Sequence, residues 1–184
     1  MRVITGTAKG VRLKTPEGTQ TRPTTERVKE AVFSIIQFEI EGSRVLDLFA
    51  GTGQMGIEAL SRGASQAVFI DGRREACQLV QENLKRAKLT DRAQVVQSDY
   101  MGYLERCRSS FDLIFLDPPY AEIFLENALK KISEIDILSD RGIIICERPA
   151  EKPLDFEIPG LQRGKDYRYG KTWITVFRKA EHTV

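Results

Sequence analysis

Val45-Leu46-Asp47-Leu48-Phe49-Ala50-Gly51-Thr52-Gly53-Gln54-Met55-Gly56 decides the fold of this 184-residue chain. Residues 45–50 form an apolar run suited to a buried strand; three glycines follow within six residues, and helical spacing then continues to about Arg62. Gly51 and Gly53 permit a sharp turn and close approach of a ligand to the backbone, and Gly56 permits a helix to lie tightly on a strand. Strand, glycine turn and helix open a βαβ unit, and the rhythm repeats downstream. Ala67-Val68-Phe69-Ile70-Asp71 reads as a second strand, and residues 73–87 put Ala76, Leu79, Val80, Leu84 and Ala87 on one helical face. Gln94-Val95-Val96-Gln97 is a third strand, ending at Ser98-Asp99, and residues 113–116 are a fourth. A helix with Phe124, Leu125, Ala128, Leu129 and Ile132 inward precedes a fifth strand at residues 142–147. This order predicts a doubly wound α/β fold: a mostly parallel sheet with helices on both faces, its ligand outside the carboxyl ends of the strands.

The ends of the chain break the alternation. Strand-like runs at residues 161–167 and 173–177, joined by Arg168-Tyr169-Gly170-Lys171, predict an antiparallel hairpin that closes one edge of a seven-stranded sheet. Trp173 alternates with polar neighbours there and reads as core. Residues 2–14, with Gly6 and Gly10 as turn candidates, predict a small hairpin, and residues 15–23 a loop. A helix capped by Thr24 or Thr25 then carries Val28, Ala31, Val32, Ile35 and Ile36 as its apolar stripe. The expected organisation is a basic N-terminal extension, residues 1–24, ahead of one domain, residues 25–184.

Composition is that of a globular chain, 41% hydrophobic and 29% charged. A domain of this size buries roughly 70% of its unfolded surface. No apolar run approaches the roughly 20 residues needed to span a bilayer, and the first six residues lack a signal-peptide core. Cys77, Cys107 and Cys146 are odd in number and widely spaced, and the chain has one histidine, so neither a disulfide framework nor a metal site is expected. A monomer in a reducing cytoplasm is the expectation. The net charge of +2 is unevenly spread: residues 1–29 and 160–179 each carry +5, and residues 30–159 carry −7. Basic ends around an acidic middle suit a polyanion held by the ends, or solvated charge on loops.

Acids recur where the strands end. Asp47, beside the glycine turn, would repel a pyrophosphate but suits an ammonium or a sulfonium, and no Lys-Ser/Thr pair completes a phosphate-cradling loop. Asp71 stands where a ribose diol would sit or where it could cap the following helix. Asp99, with Tyr100 beside it, could face an adenine amino group or serve as a turn residue. At the fourth strand end the run Phe111-Asp112-Leu113-Ile114-Phe115-Leu116 terminates in Asp117-Pro118-Pro119-Tyr120. Proline has no N–H, so the ladder must stop and the chain must leave the sheet in a fixed direction. The outcome is a rigid loop bearing a carboxylate, unpaired carbonyls and a flat ring, suited to gripping an exocyclic amine on a planar base.

These motifs resemble the class I S-adenosylmethionine-dependent methyltransferases that act on nucleobase amines. Ile4-Thr5-Gly6-Thr7-Ala8-Lys9-Gly10-Val11-Arg12-Leu13, Thr21-Arg22-Pro23-Thr24-Thr25-Glu26-Arg27-Val28-Lys29-Glu30-Ala31-Val32-Phe33 and Gly56-Ile57-Glu58-Ala59-Leu60-Ser61-Arg62-Gly63-Ala64 are similar to the bacterial 16S rRNA guanine-N2 methyltransferase family of RsmD type. Asp71 stands where that family more often has glutamate. The resemblance implies a Rossmann-like domain that binds S-adenosyl-L-methionine through Asp47, Phe49, Ala50, Gly51, Thr52, Gly53, Gly56, Asp71, Gly72, Ser98, Asp99 and Tyr100. It implies catalysis by Asp117, Pro118, Pro119 and Tyr120 on 16S rRNA within a 30S particle or its precursor. Candidate RNA grips are Arg2, Lys9, Arg12, Arg22, Thr24, Arg27, Lys165, Arg168 and Lys171, with salt bridges to Glu26 or Glu30 as the competing role for Arg22 and Arg27. Two other readings are a DNA adenine-N6 methyltransferase, for which the chain has little room for a target-recognition domain, and a non-catalytic RNA-binding assembly factor.

Overall fold

Seven strands form one sheet in the order β3-β2-β1-β4-β5-β7-β6. The computed structural model describes residues 1–16, 26–119, 121–149 and 154–180. Helix α1 (Glu26–Ile35) precedes the alternating units β1 (Arg44–Asp47), α2 (Gln54–Ser61), β2 (Gln66–Asp71), α3 (Arg74–Ala87) and β3 (Ala93–Gln97). Then follow α4 (Tyr100–Arg106), β4 (Phe111–Leu116), α5 (Ala121–Glu134), β5 (Leu138–Pro149), β6 (Leu161–Tyr169) and β7 (Thr172–Lys179). Strands β1 to β5 are parallel; β7 pairs antiparallel with both β5 and β6. The strand order reverses between β1 and β4, which opens a crevice at their carboxyl ends.

Alternate residues of the central strands feed two cores. Val45, Phe69, Leu113, Phe115, Ile143 and Ile145 pack with α1, α2 and α3, while Leu46, Ile70, Ile114, Leu116, Ile144 and Cys146 pack with α5. That division explains why these strands are continuous apolar runs: both faces are covered. The doubly wound fold and the edge hairpin stand as the sequence predicts, with three differences. β1 ends at Asp47 rather than Ala50, because the Asp47 side chain takes the Gly56 N–H at 3.1 Å and the chain turns away. Only single bonds continue the ladder, Leu48 N–H to Phe115 O and Ala50 N–H to Ile70 O. The hairpin turn is Gly170-Lys171 alone, since Tyr169 and Thr172 already pair; Gly170 takes the left-handed φ of 61° that such a tight loop needs. Helix α4 is unforeseen: seven residues with Leu104 alone buried present no periodic stripe.

Residues 1–16 are built into the core. Arg2 bridges Arg12, Leu13 N–H donates to Met1 O at 3.0 Å, and Val3, Ala8 and Leu13 are buried. Glu58 on α2, fully buried, fastens this segment: its carboxylate accepts from Ile4 N–H at 2.9 Å and Thr5 N–H at 3.0 Å and pairs with Lys29 at 3.1 Å and Arg62 at 2.9 Å. Lys29 is equally buried and donates to Arg2 O. Gly6 has a φ of 88°, and a Cβ there would lie 1.7 Å from Ser61 O, so no larger residue fits. At the other end Asn83 accepts from Lys14 N–H at 2.7 Å and donates to Lys14 O and Thr52 O, joining the N-terminal segment to the glycine turn. The expected caps Thr24 and Thr25 lie outside the described residues.

Candidate active site

The glycine turn springs from the carboxyl end of β1. Gly51 and Gly53 have φ of 55° and 77°, and Gly53 is the N-cap of α2. A Cβ on Gly51 would meet nothing within 4 Å, so its backbone faces open space; on Gly56 it would lie 2.3 Å from the Phe69 ring, so α2 rides on β2 at a distance only glycine allows. Ala50 is buried behind the turn, and the Thr52 carbonyl is held by Asn83 at 2.9 Å. Gln54, the first residue of α2, has a buried Oε1 with no hydrogen-bond partner among the described residues.

Three carboxylates gather around this turn. Asp47 is 5% exposed, and its pKa is pushed up to about 7, chiefly by burial, with the charges of Asp117 and Asp71 adding and the Gly56 N–H opposing. Asp71 accepts from Gly51 N–H at 3.0 Å through Oδ2 and from Arg73 N–H at 2.9 Å through Oδ1. It therefore braces the glycine turn. The N-cap of α3 is Arg73, so Asp71 does not take the capping role. The exposed Arg73 side chain completes an ion pair with Asp71 at 3.2 Å. Asp117 is exposed at the end of β4, beside buried Pro118 and exposed Pro119. Tyr120 lies outside the described residues.

The ends of β2 and β3 form the adjoining wall. A Cβ on Gly72 would lie 3.9 Å from both Asp99 Cα and Ser98 O. Asp99 caps α4, its Oδ1 accepting from Gly102 N–H at 2.8 Å, and Ser98 Oγ accepts from Arg106. Phe49, Tyr100 and Phe124 run across the floor with centroids 5.2 and 5.7 Å apart. The helical spacing predicts Phe124 only as a core residue of α5; its edge contact to Tyr100 makes it part of the site. Asn83, Glu58 and Lys29 support the site through contacts that local spacing does not reveal: Asn83 binds backbone groups of Lys14 and Thr52, and Glu58 binds the N–H groups of Ile4 and Thr5 and the Lys29 side chain.

The basic residues divide by position. Arg2 pairs with Glu26 at 3.2 Å, leaving Arg27 exposed on the first turn of α1. Arg12 is exposed on the N-terminal segment. Lys9 follows the turn seated on Ser61, where α2 ends, and so lies toward the amino end of the sheet, away from the carboxylates. Arg168 and Lys171 are exposed at the carboxyl end of β5, whereas Lys165 sits lower on β6 with its Nζ 5.6 Å from the Tyr167 ring centroid. Arg22 and Thr24 lie outside the described residues. Trp173 is half-buried beneath Arg148 rather than in the core. Cavities of about 540 and 620 Å³ open at the amino end of the sheet, lined by Ser110 and Ile137 in one and by Thr7 and Gly63 in the other. Neither touches the carboxylate cluster. No described helix is long and apolar enough to cross a membrane.

Comparison with known proteins names the architecture. The family model of conserved hypothetical protein 95 matches residues 1–178. YlbH of Bacillus subtilis is 42% identical over 182 residues, covering 97% of this chain and 99% of that protein. Ribosomal RNA small subunit methyltransferase D of Escherichia coli K12 is 34% identical over 154 residues, covering 84% of this chain and 77% of that protein. The solved structure of Escherichia coli yhhF superposes with a TM-score of 0.88 at 31% identity, covering 97% of both chains. The chain belongs to the family that the conserved hypothetical protein 95 model describes, together with ribosomal RNA small subunit methyltransferase D.

Proposed function

We propose that the chain transfers a methyl group from S-adenosylmethionine to the exocyclic N2 of a guanine in 16S rRNA. The observation that carries the reading is Asp117, an exposed carboxylate on a proline-stiffened loop, electrostatically coupled to the buried Asp47 beside the glycine turn. An amine acceptor thus stands next to a cradle for a cation.

The residues fit the cofactor. Asp47 supplies negative charge for an ammonium or sulfonium, and Gly51 offers unobstructed backbone. Asp71 would take the ribose hydroxyls in place of the exposed Arg73 side chain, Asp99 would accept from the adenine amine through the oxygen not used for capping, and Phe49 with Tyr100 would flank the base. When bound, S-adenosylmethionine supplies a methyl group on a sulfonium, a good leaving group. The protein contributes orientation, which reaches several kcal/mol in well-aligned cases. Asp117 and the Pro118 carbonyl would accept the two N–H groups of guanine N2, leaving its lone pair directed at the cofactor's methyl group. With the cofactor bound, that nitrogen would receive the methyl group with the thioether as leaving group, and its proton would leave to Asp117 or to water. Tyr120 would stack on the base, a contact typically worth about 1–3 kcal/mol. A paired guanine cannot reach this loop, so the target is flipped out or unpaired. The substrate in this reading is a 30S particle or its precursor, met by a monomer in the cytoplasm.

Labelled S-adenosylmethionine offered with small-subunit particles, naked rRNA and duplex DNA, followed by nucleoside analysis, tests the reading. Label in N2-methylguanosine is the expected result. Label in N6-methyladenine of DNA would transfer the assignment to a DNA enzyme, and cofactor binding without transfer would leave an assembly factor. Asp117→Ala should abolish transfer and leave cofactor affinity within about twofold; retained turnover would remove Asp117 from the chemistry.

A further inference from the structure

The C-terminal hairpin carries a row of side chains that the chemistry above leaves unused. Arg148 on β5 pairs with Trp173 on β7, and Trp173 pairs in turn with Arg168 on β6. Directly opposed residues project to the same face of a sheet, so the three stand side by side. Their face is that of α4 and α5, because Cys146 and Phe177, at alternating positions on the same strands, belong to the core on that side. The row also lies at the carboxyl end of the parallel strands. Leu116 and Cys146 are the last β4–β5 pair, and two residues farther along stand Pro118, just past the end of β4, and Arg148, still on β5. The row therefore leads outward from the Asp117-Pro118-Pro119 loop to the sheet edge, three strand spacings or about 14 Å away.

Its members are not arranged as packing alone would require. Arg148 is 4% exposed and sets its guanidinium carbon 4.9 Å from the Trp173 ring centroid. Thr175 Oγ1 at 3.1 Å and Asp166 Oδ2 at 3.3 Å hold that guanidinium in place. A buried indole ordinarily pairs its N–H; the Trp173 Nε1 is buried and has no hydrogen-bond partner among the described residues. Arg168 is exposed, and among the described residues its one tether is Nε to Gly170 O at 3.2 Å.

We propose that Trp173 is a stacking platform for a base neighbouring the methylated one in a single-stranded RNA segment, with Arg168 gripping its phosphate. The proposal rests on the RNA-methylation reading above and adds a subsite to it. A flipped or looped target drags its flanking nucleotides out of their helix, and those bases need a new stacking partner close to the catalytic loop. A ring braced beneath by a fixed cation, at the end of a row that begins beside Pro118, meets that need. Stacking of this kind is sequence-tolerant, so the subsite contributes affinity rather than choice of base.

Trp173 is the one tryptophan of the chain, so its emission reports on this position alone. Protein-free 16S rRNA, which contributes no tryptophan signal, is titrated into the full chain while filter binding is followed in parallel, and methylation kinetics are measured on small-subunit particles. Quenching of the emission should saturate together with filter binding, and S-adenosylhomocysteine alone should leave it unchanged. Trp173→Ala should raise KM for the particle roughly tenfold with kcat and S-adenosylhomocysteine affinity retained, and Trp173→Phe should recover most of that loss. RNA bound with the emission unmoved, or Trp173→Phe and Trp173→Ala both with wild-type KM, would overturn the subsite while sparing the methylation reading. Absence of any RNA binding or methylation by the wild-type chain would overturn both.

Discussion

At the scale of single residues, Asp47 is a carboxylate placed where ionisation is costly. Its folded pKa of about 7 lies well above the ordinary 3.8: burial raises it most, the Gly56 N–H opposes, and the charges of Asp117 and Asp71 add smaller rises. A folded state that binds the extra proton loses stability as pH rises through the interval from about 4 to about 7, at up to about 1.4 kcal/mol per unit. The melting temperature of the cofactor-free chain should accordingly fall between pH 5 and pH 8, and Asp47→Asn should flatten that fall. A bound cation reverses the preference, since it favours the ionised carboxylate. Cofactor affinity should therefore rise over the same interval, with proton release visible as a buffer-dependent calorimetric heat. Equal affinity at pH 5.5 and 8, or an unaltered profile in Asp47→Asn, would contradict this placement of charge.

At the scale of elements, the N-terminal segment, α2 and β2 are locked to one another by contacts that allow almost no adjustment. Glu58→Ala removes an acceptor shared by Lys29, Arg62 and the N–H groups of Ile4 and Thr5, and strands a buried lysine. Breaking a buried pair from one side costs about 3–5 kcal/mol, and a urea midpoint shift of that size is the expected result. Gly56→Ala thrusts a methyl group against the Phe69 ring at 2.3 Å and should cost about 1–3 kcal/mol through overpacking, partly recovered by Phe69→Leu. Additive losses in the double variant would show that the contact is not the cause. These locks also explain which elements the sequence disclosed. The parallel strands were legible because each is a continuous apolar run, and α3 because its stripe recurs at helical spacing. Lys29 and Glu58 were not, since two charged residues on helices read as solvated until a third segment is folded between them. Trp173 departs from the core expectation for a related reason: alternation reports the face of a strand, and the end of a strand can face solvent on either side. Of the site, the glycine turn and the acids at the strand ends were visible as motifs, whereas Asn83 and the contact of Phe124 with Tyr100 depend on where separate helices come to rest.

For the whole molecule, the question is how a chain with an acidic centre holds a polyanion. The reversal between β1 and β4 puts the carboxylates mid-sheet, the N-terminal segment crosses the glycine turn on the α2 and α3 side, and the Gly170-Lys171 turn rises at the same end beyond β5. The two basic ends of the sequence thus flank the acids in space, and RNA gripped on both sides would span a centre whose charge a cationic cofactor offsets. Each phosphate neutralised on single-stranded RNA adds about −0.7 to the slope of log affinity against log salt. Arg12→Ala and Lys171→Ala should each make that slope shallower by about 0.7, and the two should add, being remote and without shared partners. Lys9 is equally basic and equally exposed but lies toward the amino end of the sheet, beside the turn on Ser61. Lys9→Ala should leave the slope unchanged. Filter binding from 50 to 300 mM salt distinguishes the cases: equal effects at Lys9, Arg12 and Lys171 would mean that overall charge attracts the RNA, whereas loss at Arg12 and Lys171 alone would mean that the fold selects which charges meet it.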